Sequence, residues 1–265
     1  MEIWLTYCGA GIIAGVLAGL LGVGGGIIIV PMLTLTFTLQ HFPGPVVHHL
    51  ALGTSLGTII FTSFASLRAH HRHGAVNWQV VRRITPGILA GTLAGSYLAA
   101  HLSTTVLRGF FVAFTYYVAL QMLTDIRPTS TRQLPGAAGL SLVGTAIGGV
   151  SSLVGIGGGS MSVPFLVWCN LSMHNAIGTS AAIGFPIALF GAIGFIANGL
   201  GATPLPAGSF GFIYLPALVG ISVTSFIVAP LGARLAHRLP VAHLKKIFAC
   251  LLMVIGTRML FKLFQ

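Results

Sequence analysis

Long apolar runs separated by short polar loops are the feature that most limits how this chain can fold. Charged residues make up 6% of the chain and apolar residues 55%, whereas a soluble domain carries about 25% charged residues. The apolar runs are continuous and do not alternate, so α-helices are the structure that satisfies the backbone hydrogen bonds in lipid. The sequence therefore predicts an all-α integral membrane protein.

The net charge of +11 does not indicate a nucleic-acid partner. The basic residues lie in a few loops, as the positive-inside rule expects for the cytoplasmic side of a membrane protein. The acidic residues are Glu2 and Asp125, and both lie near the ends of apolar segments. This distribution argues against a carboxylate proton relay or an acidic cation site inside the membrane.

An internal repeat divides the chain into two membrane repeats, residues 1–134 and 135–265. The segment 22–31 matches 155–164 at six of ten positions, with an offset of 133 residues, and both segments contain Gly-x-Gly-Gly-Gly. We predict five helical elements in each half. They cover 3–21, 26–40, 46–67, 84–100 and 106–124 in the first half, and 137–154, 159–171, 175–197, 212–230 and 244–262 in the second.

The basic loop changes place between the two halves. Loop 68–83 carries four arginines and its counterpart 198–212 carries no charge, whereas loop 101–108 carries one arginine and its counterpart 234–246 carries four basic residues. Matching loops are therefore expected on opposite sides of the membrane, which is the arrangement of an inverted repeat.

Counting basic residues supports the inverted arrangement. With five elements in each half, ten of the thirteen Lys and Arg residues fall inside, and both termini are expected outside. The three basic residues expected outside are Arg108, Arg258 and Lys262. Merging the first two elements of each half into one span gives eight helices in a parallel repeat, but it leaves five basic residues outside.

Glycine-rich breaks at 22–26 and 155–159 precede the short second element of each half, near the expected midplane. A helix that begins after such a break has free N–H groups and the positive end of its dipole, which favours an anion. Inverting the repeat brings two such ends together, where transporters bind substrate. We predict a substrate site that includes Gly24, Gly25, Gly26, Gly157, Gly158, Gly159 and Ser160.

The second half has hydroxyl groups after its break where the first half has apolar side chains. Ser160 and Ser162 correspond to Ile27 and Ile29, so the predicted site is asymmetric. Other glycines recur at helical spacing and are expected to serve close helix packing. These are Gly11, Gly15, Gly19, Gly87, Gly91, Gly95, Gly144 and Gly148.

The Gly-Thr-Ser sequence occurs once in each half and adds candidate substrate-binding residues. These are Thr54, Ser55, Thr179 and Ser180. Hydroxyl groups that face a midplane cavity can bind an oxyanion without placing a fixed charge there. The alternative is that these hydroxyls bond to the helix backbone, which is common for Ser and Thr.

The histidines His49 and His174 precede the two Gly-Thr-Ser sequences and are candidates for proton coupling, because His titrates near neutral pH. The histidine clusters at 48–49 and 70–73 have no neighbouring Cys, Asp or Glu to complete a metal site. The sequence also shows no catalytic constellation. We therefore expect neither a metal, a cofactor nor an enzymatic activity.

At these motifs the chain resembles the TauE/SafE family, also called the sulfite exporter or TSUP family. The resemblance rests on segments 20–31, 72–78 and 229–236 and on the two Gly-Thr-Ser sequences, and it extends over nearly the whole chain. It implies transport of sulfite, organosulfonates or related sulfur oxyanions. Members commonly carry Asp where this chain has Asn77, so any coupling role of that residue is weakened or changed here.

Together these features predict a secondary transporter in the inner (cytoplasmic) membrane, with export favoured over uptake. Its partners are expected to be a small sulfur-containing anion and the lipid bilayer, and an oligomer is compatible with the sequence. An anion channel and a non-transporting membrane partner subunit are the alternatives left open. The coupling ion is not distinguished by the sequence.

Overall fold

Ten α-helices dominate the structure, a computed structural model that describes residues 2–21, 25–124, 133–236 and 241–261. The first half contains α1 (Glu2–Leu21), α2 (Gly26–Leu39), α3 (Gly44–Arg72), α4 (Trp78–His101) and α5 (Thr104–Thr124). The second half contains α6 (Ala137–Val154), α7 (Gly159–Trp168), α8 (Met173–Gly199), α9 (Leu215–Ala236) and α10 (Val241–Phe261). A small hairpin of β1 (Ser209–Phe210) and β2 (Ile213–Tyr214) precedes α9. The predicted all-α membrane class is confirmed.

Five helices in the described part of the chain are long and apolar enough to cross a membrane. They are α3, α5, α6, α8 and the segment Leu215–Gly232 of α9. The second helix of each half is much shorter, with 14 residues in α2 and 10 in α7. At 1.5 Å per residue these helices are about 21 Å and about 15 Å long, whereas a hydrocarbon core is about 30 Å thick. Neither helix can cross the membrane alone.

The short helix α2 returns along α1 as an antiparallel hairpin. Gly25 lies against the backbone of Ala14, in the middle of α1, and the side chain of Gln40 donates to the hydroxyl of Tyr7 at 2.9 Å. Thus α2 begins beside the centre of α1 and ends near the start of α1. In the second half, Gly158 before α7 lies against Ile147 of α6.

Helices α3 and α8 occupy corresponding places in the two halves and pack antiparallel at the centre. Leu56 contacts Gly191, and farther along α3 Ser63 contacts Gly184, so residue numbers rise along one helix as they fall along the other. Most of α3 is buried, and so is most of α8. These two helices form the central layer against which both short helices pack.

Two flanking pairs, α1 with α9 and α4 with α6, pack parallel through glycines. A Cβ atom on Gly87 or Gly91 would collide with the carbonyl oxygens of Ser141 or Thr145, respectively. The glycines predicted to serve packing are confirmed in this role wherever their contacts are described. They are Gly11, Gly15, Gly87, Gly91, Gly95, Gly144 and Gly148. Close backbone approach maximises van der Waals contact where lipid provides no hydrophobic driving force between helices.

Several of the closest contacts between elements are preserved when the halves are exchanged. The pair α1–α9 becomes α6–α4, the pair α2–α3 becomes α7–α8, and α3–α8 and α5–α10 become themselves. All of these pairs are in contact. Shared contacts of this kind are expected of the two repeats that the sequence predicts.

Helices α3 and α4 extend beyond the predicted ranges 46–67 and 84–100, and the connection between them shrinks to 73–77. The four arginines expected in a loop therefore lie on the last turns of α3 and the first turns of α4. Hydropathy marks where a helix leaves the hydrocarbon, whereas helices continue into the headgroup region, where long cationic side chains reach water.

Candidate functional site

The two glycine-rich breaks lie directly against each other. A Cβ atom on Gly26 would collide with the carbonyl oxygen of Gly155 and would lie 2.9 Å from Cα of Ile156. Val30, one turn into α2, also contacts Gly155. The structure thus brings the predicted residue Gly26 against the second break, whereas Gly25 lies against Ala14 of α1 and the predicted residue Gly24 lies outside the described residues.

Glycine is required at the residue before each short helix. Gly25 has φ 76° and Gly158 has φ 74°, both in the left-handed region. A side chain in this conformation costs about 1–2 kcal/mol. The two breaks therefore share the same local backbone conformation directly before the short helix.

Both short helices begin directly after these glycines. The carbonyl of Gly25 accepts hydrogen bonds from the N–H groups of Ile28 and Ile29 at 3.1 and 3.2 Å. The carbonyl of Gly158 accepts from Met161 and Ser162 at 3.0 and 2.9 Å. The positive end of the α2 dipole therefore lies against the start of the second break, and that of α7 lies at the end of the same break.

Donor groups without partners cluster at the second break. Within the described residues, the N–H groups of Gly159 and Ser160 find no acceptor. The hydroxyls of Ser160 and Ser151 are buried and also have no partner among the described residues. Buried polar groups are almost always hydrogen-bonded, so these donors suggest a ligand or water at this place.

The remaining serines near this break are already hydrogen-bonded. Ser162 and Ser180 share a hydrogen bond of 2.8 Å, and Ser162 also donates to the carbonyl of Gly158 at 3.0 Å. In the first half, Ile27 and Ile29 occupy the corresponding positions and are fully buried. The break region thus has hydroxyls on the α7 side and apolar side chains on the α2 side.

The Gly-Thr-Ser sequence of each half forms a hydrogen bond with the other half. The hydroxyl of Thr54 accepts a hydrogen bond from the N–H of Tyr214, and that of Thr179 accepts one from the N–H of Asn77, both at 2.9 Å. Asn77 and Tyr214 immediately precede α4 and α9. Each threonine therefore fixes the start of the fourth helix of the other half.

The glycines and serines of these sequences also contact the other half. Gly53 packs against the carbonyl of Phe212, and Gly178 packs against that of Ala75. Ser55 donates a hydrogen bond of 2.8 Å to the carbonyl of Gly155 at the second break. Of the four predicted hydroxyls, Ser55 and Ser180 thus lie at the second break or its short helix, whereas Thr54 and Thr179 contact the segments before α9 and α4.

The two candidate histidines lie in different environments. His49 is buried, and its Nε2 is 3.1 Å from the carbonyl oxygens of both Ala99 and Leu102 at the end of α4. Two acceptors at one nitrogen require that Nε2 carries the proton. His174 is exposed at the start of α8. His49 thus contacts the end of α4, and His174 lies at the start of α8.

Ser151 is a candidate that the sequence argument missed. It lies on α6, one turn before the break, and a Cβ atom on Gly158 would lie 3.3 Å from its hydroxyl. Its neighbour Ser152 bonds to the carbonyls of Thr92 and Gly148. A serine pair within an otherwise apolar helix was the signal available, since polar residues in spans mark interfaces or sites.

The sequence profile of the sulfite exporter TauE/SafE family matches residues 7–259. The chain belongs to this family. This TauE/SafE family member is 37% identical to a probable membrane transporter protein of Haemophilus influenzae over 254 residues. The match covers 95% of this chain and 96% of the relative. No solved structure matches the chain.

Two more distant relatives are also described as probable membrane transporter proteins. YdhB of Bacillus subtilis is 26% identical, covering 93% of this chain and 96% of the relative. A protein of Methanocaldococcus jannaschii is 27% identical, covering 94% and 92%. Together with the five long apolar helices, these relatives support a multi-pass membrane transporter for this TauE/SafE member.

Proposed function

We propose that this chain is a secondary transporter that exports a small sulfur-containing anion, such as sulfite or an organosulfonate, across the inner membrane. The observation that carries the proposal is the contact between Gly26 and Gly155, which joins the two helix breaks. Two helix N-termini then present N–H groups and positive dipole ends to one region.

The groups near this region support an anionic substrate. The two acidic residues of the chain, Glu2 and Asp125, lie near the ends of apolar segments in the sequence and outside both breaks, which argues against a carboxylate site for a cation there. The groups without partners are the hydroxyls of Ser151 and Ser160 and the N–H groups at the start of α7. Hydroxyl and N–H donors of this kind suit the oxygen atoms of sulfite or a sulfonate.

Inverted symmetry provides the framework for alternating access. Helices α3 and α8 are equivalent in the repeat and run antiparallel, which supports a two-fold axis in the membrane plane. A parallel repeat, with its axis along the membrane normal, would make equivalent helices run the same way. The distribution of basic residues supports both termini on the outer side of the inner membrane.

Anion binding to the purified protein is the first test. Thermal stability in neutral detergent is followed against sulfite, thiosulfate, sulfate, small sulfonates, small carboxylates and chloride. A ligand that binds only the folded state adds about 2.7 kcal/mol of stability at a hundredfold excess over its Kd. We expect a selective increase with a sulfur oxyanion, reduced in a Gly158→Ala variant.

Flux measurements in proteoliposomes separate the alternatives. Flux that depends on a proton gradient or membrane potential, and that saturates with substrate, supports a secondary transporter. Uncoupled, non-saturating flux indicates an anion channel. Binding of no anion together with no flux would overturn the proposal and favour a partner subunit of a larger membrane complex.

A further inference from the structure

A cavity of about 370 Å³ lies between α2, α5 and α10, apart from the paired breaks. Its polar lining comes from Thr34 and Thr38 of α2, Arg108 of α5 and Arg258 of α10. The rest of the lining is apolar and includes Pro31. Two arginines from different helices therefore line one largely apolar space.

No ion pair of Arg108 or Arg258 is found among the described side chains, which include neither Glu2 nor Asp125. Arg108 is half-buried, and its Nε has no hydrogen-bond partner there. A cation in an apolar membrane protein is costly unless a counter-charge or hydrogen-bond acceptors are nearby. An anion in the cavity would supply both to Arg108 and Arg258.

The threonine hydroxyls that line the cavity are not available to donate hydrogen bonds to an anion in it. Thr34 donates to the carbonyl of Val30 at 2.8 Å, and Thr38 donates to the carbonyl of Thr34 at 2.7 Å. Their hydroxyl hydrogens are therefore engaged within α2. The guanidinium groups are the donors that the described lining offers, and their planar fork matches two oxygens of a sulfonate, sulfate or phosphate.

The position of these arginines is unusual for their charge. Arg108 lies in the second turn of α5 and Arg258 in the last turn of α10. Both belong to the three basic residues that the sequence places outside, where the positive-inside rule makes Lys and Arg rare. Two exceptions to this rule line one cavity, which indicates a role for their charge.

The cavity also approaches the central site. Pro31 lines it and follows Val30, which contacts Gly155 at the second break. Pro31 is five residues after Gly26, a rise of about 7.5 Å along α2. The cavity therefore extends from the outer ends of α5 and α10 to within about two helical turns of the paired breaks.

We propose that this cavity is a second oxyanion site, in which Arg108 and Arg258 hold a sulfonate, sulfate or phosphate group. The oxyanion has two sources, the transported anion in solution or the phosphate of an anionic lipid. If the site binds the transported anion on its path, this role rests on the proposed function. Binding of an oxyanion to the two arginines does not depend on that function.

The test uses the full chain, purified in neutral detergent and stripped of lipid, with radiolabelled sulfate as the probe at constant ionic strength. The double variant Arg108→Gln/Arg258→Gln is compared with Arg72→Gln, which changes an exposed arginine at the end of α3. We expect one component of sulfate binding to weaken in the double variant, with a Kd at least about tenfold higher, since hydrogen bonds to charged groups are strong. The Arg72→Gln control should bind as the wild type does.

Three further arms make the outcome decisive. Ser160→Ala, at the central break, should leave the Arg-dependent component unchanged, so failure of the central site is distinguishable from failure of this one. Arg108→Lys/Arg258→Lys retains the charge and serves if the glutamine variant does not fold; it should bind with intermediate affinity because the fork is lost.

Native mass spectrometry with phosphatidylglycerol identifies the lipid source if lipid retention, too, depends on the arginines. Equal binding of sulfate and of phosphatidylglycerol by the wild type and the double glutamine variant, or by the lysine variant in its place, would overturn the proposal.

Discussion

The hydroxyl of Ser55 donates a hydrogen bond of 2.8 Å to the carbonyl oxygen of Gly155. This bond joins the Gly-Thr-Ser sequence of the first half to the helix break of the second half. The carbonyl it satisfies lies in a break, where no helix supplies a donor. The geometry of the second break therefore depends on a side chain 100 residues away in the chain.

Removing this bond should weaken the protein. We expect Ser55→Ala to lower the free energy of unfolding by about 1–3 kcal/mol, because the carbonyl of Gly155 would be buried without a partner. The measurement is the thermal midpoint in detergent. Ser63→Ala is the matched control, since Ser63 is buried on the same helix and its hydroxyl bonds, among the described residues, to the carbonyl of Ile60 within its own helix. Equal effects of the two substitutions would contradict the proposed importance of the link.

Adding a side chain before either short helix should abolish transport. In Gly25→Leu and Gly158→Leu the leucine must adopt a left-handed backbone conformation, which costs about 1–2 kcal/mol, and its side chain fills space at the breaks. Anion flux in proteoliposomes and the amount of protein in the membrane are measured together. Gly9→Ala is the control, because a Cβ atom there meets no atom within 4 Å. Normal flux in both leucine variants would refute the site.

Removing the unpartnered hydroxyls should affect anion binding more than stability. We expect Ser151→Ala and Ser160→Ala to leave the thermal midpoint of the anion-free protein unchanged or higher, since each removes an unsatisfied buried group. Affinity for the anion should fall about tenfold or more, because a hydrogen bond to a charged group is worth about 1.5–3 kcal/mol.

The control for these serines is Ser162→Ala, which removes a hydroxyl with two hydrogen bonds. It should lower the thermal midpoint in the absence of any anion. If Ser151→Ala and Ser160→Ala both retain full affinity, the hydroxyls of the second break do not contact the substrate.

Asn77 caps α4, and this role predicts the effect of its substitution. Its side-chain oxygen accepts from the N–H of Val80 at 3.2 Å. Asn77→Ala should lower stability by about 1 kcal/mol, whereas Asn77→Asp keeps the cap and adds a charge that suits the helix dipole. The thermal midpoint of Asn77→Asp should equal or exceed that of the wild type. A midpoint as low as that of Asn77→Ala would show that the cap is not what this position supplies.

Labelling of single cysteines tests the inverted repeat. In a protein whose Cys8, Cys169 and Cys250 are replaced, Gln79→Cys and Ala207→Cys introduce exposed thiols in corresponding regions of the two halves. We expect a membrane-impermeant maleimide to label the second variant from outside intact cells, and the first only after permeabilisation. Labelling of both from the same side would support a parallel repeat.

Much of the fold follows from local properties of the sequence. Three successive glycines cannot hold a helix well, so the predicted starts of the short helices at 26 and 159 agree with the structure. The ends of α3 and α4 were less predictable, because hydropathy reports the hydrocarbon boundary and not the last hydrogen-bonded turn. The hairpin of β1 and β2 was not predicted, since each strand has only two residues and no alternating pattern.

The candidate site was predicted less completely than the fold. The sequence treated all four Gly-Thr-Ser hydroxyls alike, whereas the structure engages Thr54 and Thr179 with the starts of α9 and α4. The sequence predicted Ser160, which directly follows the glycines of the break, and missed Ser151, which lies inside the preceding apolar helix. Neither serine has a counterpart in the first half, where Ile27 and Ala18 stand, so the repeat did not distinguish them.

The sequence by itself determined the membrane class and the start of each short helix, because hydropathy and backbone freedom act over a few neighbouring residues. Only the tertiary structure decided which hydroxyls are engaged and which have no partner. The partner of Thr54 is 160 residues away and that of Thr179 is 102 residues away. A hydrogen bond between such distant residues depends on how the two halves pack, which no local pattern records.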